Sequence, residues 1–151
     1  MLSSLFLSSR IEAIGRVLSS LTVDQRLIAV LDQPALGRPL GGLGYRVLSV
    51  ADSAKALRRS GDQRLCGRAN ALPLADSQLA ALVARGIGQR DDWSAVLCEW
   101  RRVVDDGGAI ILLDRAPATE LTRRALCGGL TEIVQSQAGR TIVTSGRVMK
   151  L

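Results

Sequence analysis

The sequence contains no histidine. That removes the residue most often used as a general base near neutral pH, and the commonest protein ligand for transition metals. Aromatic residues make up 3% of the chain, as Phe6, Tyr45, Trp93 and Trp100. A binder of single-stranded nucleic acid needs several exposed rings as stacking platforms, so so few rings argue against that class. The three cysteines, Cys66, Cys98 and Cys127, are far apart and form no Cys-x-x-Cys pair. Neither a disulfide framework nor a zinc site fits that spacing. Lone buried thiols in a reducing compartment fit better, and the protein is expected in the cytoplasm. Met1 to Leu7 is apolar but lacks a basic start, and Arg10 and Glu12 interrupt it. This segment therefore reads neither as a signal peptide nor as a membrane span. Leu5, Phe6 and Leu7 are expected to pack on the domain or on a partner.

Lysine occurs only at Lys55 and Lys150, so the net charge of +6 is carried by arginine. A basic balance favours an anionic partner. The arginines are scattered, however, and their only tight pairs are Arg58–Arg59, Arg101–Arg102 and Arg123–Arg124. Each pair falls on an expected helix, where a solvated face accounts for it. Nucleic acid is therefore the less favoured partner. With 151 residues, 47% hydrophobic and 23% charged, the chain can form one globular domain with a real core.

The order of elements reads as α/β. Ser9 and Glu12 form a capping-box pattern, and Ile11, Ile14, Val17, Leu18 and Leu21 follow at helical spacing, predicting a helix that ends near Ser20. Leu27 to Leu31 is a continuous apolar run suited to a strand buried on both faces. Pro34, Pro39 and four glycines between Gln33 and Gly44 make a full helix there unfavourable. Strands follow at 46–50, 64–67 and 79–84, with a short helix over 53–60. Asp91 or Asp92 is expected to cap a helix carrying Trp93, Val96, Leu97, Trp100, Val103 and Val104, ended by Gly107-Gly108. A strand at 109–113 comes next. Pro117 opens another helix at its first position, which Gly128-Gly129 stops. Two final strands over 130–136 and 141–144 form a hairpin around Ala138-Gly139. The expected fold is a single-domain, mostly parallel Rossmann-like sheet with an antiparallel C-terminal hairpin and a first crossover helix that is short or missing. Residues 1–26 form a helical segment packing on a core domain of residues 27–151.

Several segments resemble the class I S-adenosylmethionine (SAM)-dependent methyltransferases. Ala69-Asn70-Ala71-Leu72-Pro73-Leu74-Ala75-Asp76 is similar to that family's acid–alanine–x–x–leucine–proline segment after the third strand. Trp100 to Ile111 resembles its helix running into a Gly-Gly turn and the fifth strand. Cys127-Gly128-Gly129-Leu130 before the hairpin and Gly44-Tyr45-Arg46-Val47 before the second strand fit as well. The resemblance implies SAM as cofactor, held by Asp32 and Gly37 after the first strand, Asp52 after the second, and Asn70 and Ala71 near the adenine. The sequence departs from the family where the cofactor loop should be. Gln33-Pro34-Ala35-Leu36-Gly37-Arg38 lacks the glycine spacing that lets backbone approach a cofactor, and Pro34 removes a backbone donor. Ala51 stands at the acid position after the second strand, with Asp52 displaced by one. Ala84-Arg85-Gly86-Ile87-Gly88 after the fourth strand offers no catalytic acid, aromatic or base, and reads as a plain loop rather than a phosphate loop.

Each of these residues also has a plainer role. Asp32 can cap the turn after its strand, Asp52 can cap a helix beside Ser53, and Asn70 can form a turn before Pro73. Three functions follow. The first is a degenerate, non-catalytic methyltransferase-like domain with no cofactor. It would bind a protein partner or a second copy through the sheet face left open after Asp32. The second is a SAM-dependent methyltransferase with an atypical cofactor loop. The third is a basic nucleic-acid accessory protein.

Overall fold

The computed structural model describes residues 2–21, 26–52, 63–115 and 117–150, and the helix expected over 53–60 lies outside them. Helix α1 spans Leu2–Ser19 and precedes strand β1, Leu27–Leu31. A 3-10 turn, Pro34–Leu36, and a five-residue helix α2, Gly37–Gly41, lead to β2, Arg46–Ala51. β3 is Gln63–Cys66 and β4 is Leu79–Arg85. A second 3-10 turn, Ile87–Gln89, precedes α3, Trp93–Val103, and β5, Val104–Asp114. Helix α4, Ala118–Cys127, leads to β6, Thr131–Ala138, and β7, Thr141–Arg147. The seven strands form one sheet in the order β3-β2-β1-β4-β5-β7-β6. β3, β2, β1, β4 and β5 pair in parallel, while β7 pairs antiparallel with both β5 and β6. The mostly parallel sheet and the antiparallel hairpin are as the sequence predicts.

Strand alternation sorts the core into two layers. Ile28, Val30, Val47, Val83, Ile111 and Leu113 face α1, where Ile14 and Leu18 cover them. Ala29, Leu31, Leu48, Val50, Leu82, Ile110 and Leu112 face the other way, towards Trp100, Val96 and Leu97 of α3 and Leu121 of α4. Such a sheet needs cover on both sides. The crossover after β1 supplies it with little helix: Leu36 and Leu40 are 1% and 0% exposed and close over Ile28, Val30 and Val47. The face beside β1 is thus filled by the chain itself.

On the opposite layer, residues 67–78 cross without a helix, and α3 grips them. The indole Nε1 of Trp100 donates to the Ala69 carbonyl at 2.9 Å. The Leu72 N–H donates to the Glu99 carboxylate at 2.7 Å. Arg102 donates to Glu99 at 2.6 Å, to the Leu74 carbonyl at 3.0 Å and to Asp76 at 2.7 Å. Those bonds satisfy loop groups that a helix would otherwise satisfy internally, and they press Leu72 and Leu74 into the core.

Several boundaries differ from expectation. α1 starts seven residues before Ser9, so Ser9 is not its cap; no proline or glycine interrupts 2–9, and half-buried Leu7 continues the apolar stripe. Asp92 makes no side-chain cap bond, because its carboxylate is paired with Arg90 at 2.8 Å. α3 ends at Val103, not at Gly107-Gly108, and β5 begins at once. The two glycines lie in an irregular stretch of β5, where β4 advances from Leu79 to Ala81 while β5 advances from Val104 to Ala109. A Cβ on Gly108 would sit 2.5 Å from the Ala80 carbonyl oxygen, so close strand approach requires glycine there. Pro117 is the residue before α4 rather than its first. The hairpin turns at Gly139-Arg140, with longer strands than predicted. Cys66, Cys98 and Cys127 are free but exposed, not buried. Cys98 lies on the outer side of α3, away from Val96, Leu97 and Trp100, and Cys66 is on the edge strand β3.

Trp100, 1% exposed, joins the core to the 67–78 crossing. Trp100→Ala should lower unfolding free energy by about 3–5 kcal/mol, read from equilibrium urea denaturation.

Candidate functional site

In open parallel sheets, ligands bind outside the carboxyl ends of the strands, where strand order reverses. Here that point lies between β1 and β4. Asp32 follows β1 immediately, in the left-handed region at φ 54°. Its N–H donates to the Val50 carbonyl at 3.0 Å, and the Gln33 side-chain amide donates to its carbonyl at 3.1 Å. Asp52 follows β2 and is exposed. The Gly67 N–H donates to the Ala51 carbonyl at 2.9 Å, which holds the segment after β3 against the tip of β2. Arg68 and Ala71 bridge to each other and close a tight turn at Ala69-Asn70. Asn70 and Ala71 are both exposed.

The structure therefore brings Asp32 and Asp52 together and anchors the turn carrying Asn70 and Ala71 on the tip of β2. Gly37 differs: it is buried as the first residue of α2, and its surface is covered by the chain. The sequence reading also missed a residue. In the acid–alanine–x–x–leucine–proline pattern the acid directly precedes the alanine, and Arg68 holds that place, two residues before Asn70. Ala51, at the acid position after β2, is only 4% exposed.

The electrostatics of this edge are mixed. Asp32 reaches solvent, but protein crowds the inner side of its carboxyl. That desolvation, and then the Asp52 carboxylate, raise its pKa above the ordinary 3.8, while Arg85 and Arg90 pull it down. Past β4, Gly86 takes φ +89°, and the Gly88 N–H donates to the Asp114 carboxylate at 2.6 Å. The second Asp114 oxygen accepts from the Arg115 N–H at 2.8 Å. This carboxylate is a buried brace between the ends of β4 and β5.

Arg102 and Arg124 depart from the expected solvated faces, while Arg123 is exposed as expected. Arg102 is spent on the 67–78 crossing. Arg124 donates to the carbonyls of Ile87 and Arg90 and lies, like Arg123, over the ring of Trp93, with guanidinium carbons 5.4 and 5.6 Å from its centre. Arg58–Arg59 lies outside the described residues. Among those residues no three Cys, Asp or Glu side chains gather as metal ligands, and no helix is long and apolar enough to cross a membrane.

The strand order, the five parallel strands and the antiparallel hairpin together are the class I SAM-dependent methyltransferase fold. Solved structures agree. The chain superposes on a protein of Methanococcus maripaludis named as a SAM-dependent methyltransferase, with a TM-score of 0.77 and 11% identity over 99% of this chain and 89% of the other. A Haloferax volcanii protein named as a methyltransferase, solved in complex with the Trm112 activator, matches at 0.71 and 14%, over 95% and 94%. The geranyl diphosphate C-methyltransferase of Streptomyces coelicolor, solved with S-adenosyl-L-homocysteine, matches at 0.71 and 12%, over 94% and 77%. At these identities the likeness is one of fold. No protein-family model and no curated protein sequence matches this chain.

A carboxyl whose folded pKa is raised stabilises the fold below pH 3.8, where both states are protonated, and loses that advantage as pH climbs through the folded value. Asp32→Asn should therefore be more stable than the parent at pH 7, with a smaller difference at pH 3, as read from urea midpoints at both pH values. The easier left-handed backbone of asparagine adds a gain that does not change with pH.

Proposed function

We propose that this chain is a methyltransferase-fold domain that does not transfer methyl groups and serves as a protein-interaction module. The observation carrying this reading is the set of residues at the cofactor positions. After β1, the segment that would carry a glycine loop instead turns down through Leu36 and Leu40, which pack as an apolar plug on the sheet face beside β1. The plug also consumes donors: Asp32 N–H bonds Val50, Leu36 N–H bonds Gln33, and Pro34 has none. Ala51 replaces the acid that would hold ribose hydroxyls, and Arg68 replaces the acid of the segment after β3. Arg85 extends from the end of β4 close to Asp32, adding positive charge where a cationic sulfonium would need the opposite. These residues fit SAM poorly.

The partner is another protein or a second copy of this chain. Since Leu36 and Leu40 fill the face beside β1, the docking surface is better sought at the outer hairpin. β6 is an edge strand with Val134 61% exposed, and unpaired strand edges are ready surfaces for association. The Haloferax protein shows this fold in complex with a separate activator protein.

One observation favours a second reading, a SAM-dependent methyltransferase with an atypical loop. Asp32 at the switch point and Asp52 at the neighbouring tip of β2 lie near enough to interact, and such a carboxylate pair could take ribose hydroxyls or an amino group.

Titration calorimetry of the full chain with SAM and with S-adenosylhomocysteine separates the two. The interaction-module reading expects no binding heat at about 1 mM ligand, a Kd weaker than roughly −4 kcal/mol of binding free energy. Micromolar binding that Asp32→Ala weakens would overturn it in favour of the enzyme.

A further inference from the structure

Three arginines meet at the carboxyl edge of the parallel strands. On β4 the α1-facing row runs Ala81, Val83 and then Arg85. On β5 the same row runs Ile111, Leu113 and then, two residues further, Arg115. On α1, Arg10 lies three residues after Leu7 and four before Ile14, on the stripe that packs against the sheet. Each apolar row therefore ends in, or is interrupted by, an arginine at the carboxyl edge of the parallel strands. The three line a cleft of about 250 Å³ between α1, the ends of β4 and β5, and the start of β7.

Arginine predominates in the lining of this cleft, although the Asp32 carboxylate lies close to Arg85. The one carboxylate lining the cleft is Asp114, 7% exposed, whose two oxygens already accept the Gly88 and Arg115 N–H groups. Gln33 and Gln89 add neutral polar groups to the wall. Arg85 and Arg115 are exposed at the ends of their strands rather than folded into the core. In this they differ from Arg102 and Arg124, which are spent on loop carbonyls and carboxylates.

We infer that this cleft binds a small molecule bearing a multiply charged oxyanion, a phosphate or a pair of carboxylates, with Arg85 and Arg115 as its principal contacts. Guanidinium groups match both anions through paired N–H donors, and a concave, partly desolvated wall strengthens such bonds. The size of the cleft suits a small molecule better than a polymer. No aromatic residue lines it for base stacking, and a good share of the arginine charge is tied up inside the protein. The cleft borders the crevice between β1 and β4 through Gln33 and Arg85, but it does not include Asp52, Asn70 or Ala71, and the anion contacts require no SAM.

The test is titration calorimetry of the full chain with inorganic pyrophosphate and, separately, with citrate, at low salt. Arg85→Gln and Arg115→Gln would be compared with Arg46→Gln, an exposed arginine at the start of β2 on the opposite sheet edge. At least one anion should bind below about 1 mM, and each cleft substitution should weaken it about tenfold or more, with Arg46→Gln unchanged. The tighter of the two anions identifies phosphate or carboxylate as the natural group. No heat with either anion overturns the inference. So does an equal loss in Arg46→Gln, or binding confined to a short RNA and unaffected by the cleft substitutions.

Discussion

The structure depends on keeping both faces of a mostly parallel sheet dry with few crossover helices. A strand buried on both sides has no solvated face to fall back on. Here β1, β2, β4 and β5 carry nearly continuous buried rows, and each uncovered stretch would expose apolar area worth roughly 25 cal/mol per Å². The chain meets this requirement unevenly. α1, α3 and α4 cover the middle and the hairpin side in the ordinary way. Beside β1, a 3-10 turn and five helical residues suffice because Leu36 and Leu40 fill the gap. Over the 67–78 crossing, Leu72 and Leu74 do the covering, but only because α3 holds their backbone in place.

That second solution explains much of the arginine content. A loop lying on a hydrophobic layer has carbonyls and N–H groups with no regular partner, and each is costly to leave unsatisfied. Arg102 serves this loop with several donors at once, alongside Glu99, whose carboxyl the guanidinium holds below its usual range. Arg124 does the same for the turn after β4. Positive charge that reads in composition as a surface property is here, in good part, structural cement. Arg85 and Arg115, exposed at the carboxyl edge of the sheet, stand out for that reason.

At the edge where this fold places ligands, backbone frame and side chains can be considered separately. Asp32 follows β1 and the turn of Ala69-Asn70 sits on the tip of β2, so the backbone frame is present. An alanine and an arginine occupy the two acid positions, and leucines occupy the approach after β1. Backbone frame and side-chain chemistry separate in this way because strand order rests on core packing, whereas ligand contacts rest on a few surface side chains.

The sequence by itself determined the fold class, the mostly parallel sheet and the hairpin, while the order of the strands came from the structure. Apolar runs at 27–31, 46–50 and 109–113, and the glycines at 128–129, constrain local structure through burial and backbone freedom, which depend on neighbours close along the chain. Caps and ends were less legible. Asp92 reads as a helix cap, yet Arg90 two residues away competes for its carboxylate, and Gly107-Gly108 reads as a helix stop although it serves a close approach to Ala80. At the candidate site, Asp32, Asp52, Asn70 and Ala71 could be named from order alone, while the burial of Gly37 and the filling of the β1 face could not. The convergence of Arg10, Arg85 and Arg115 was wholly a product of tertiary structure. These residues are 75 and 30 positions apart in the chain, and only the parallel pairing of β4 with β5 and the packing of α1 across them bring the three side chains into one cleft.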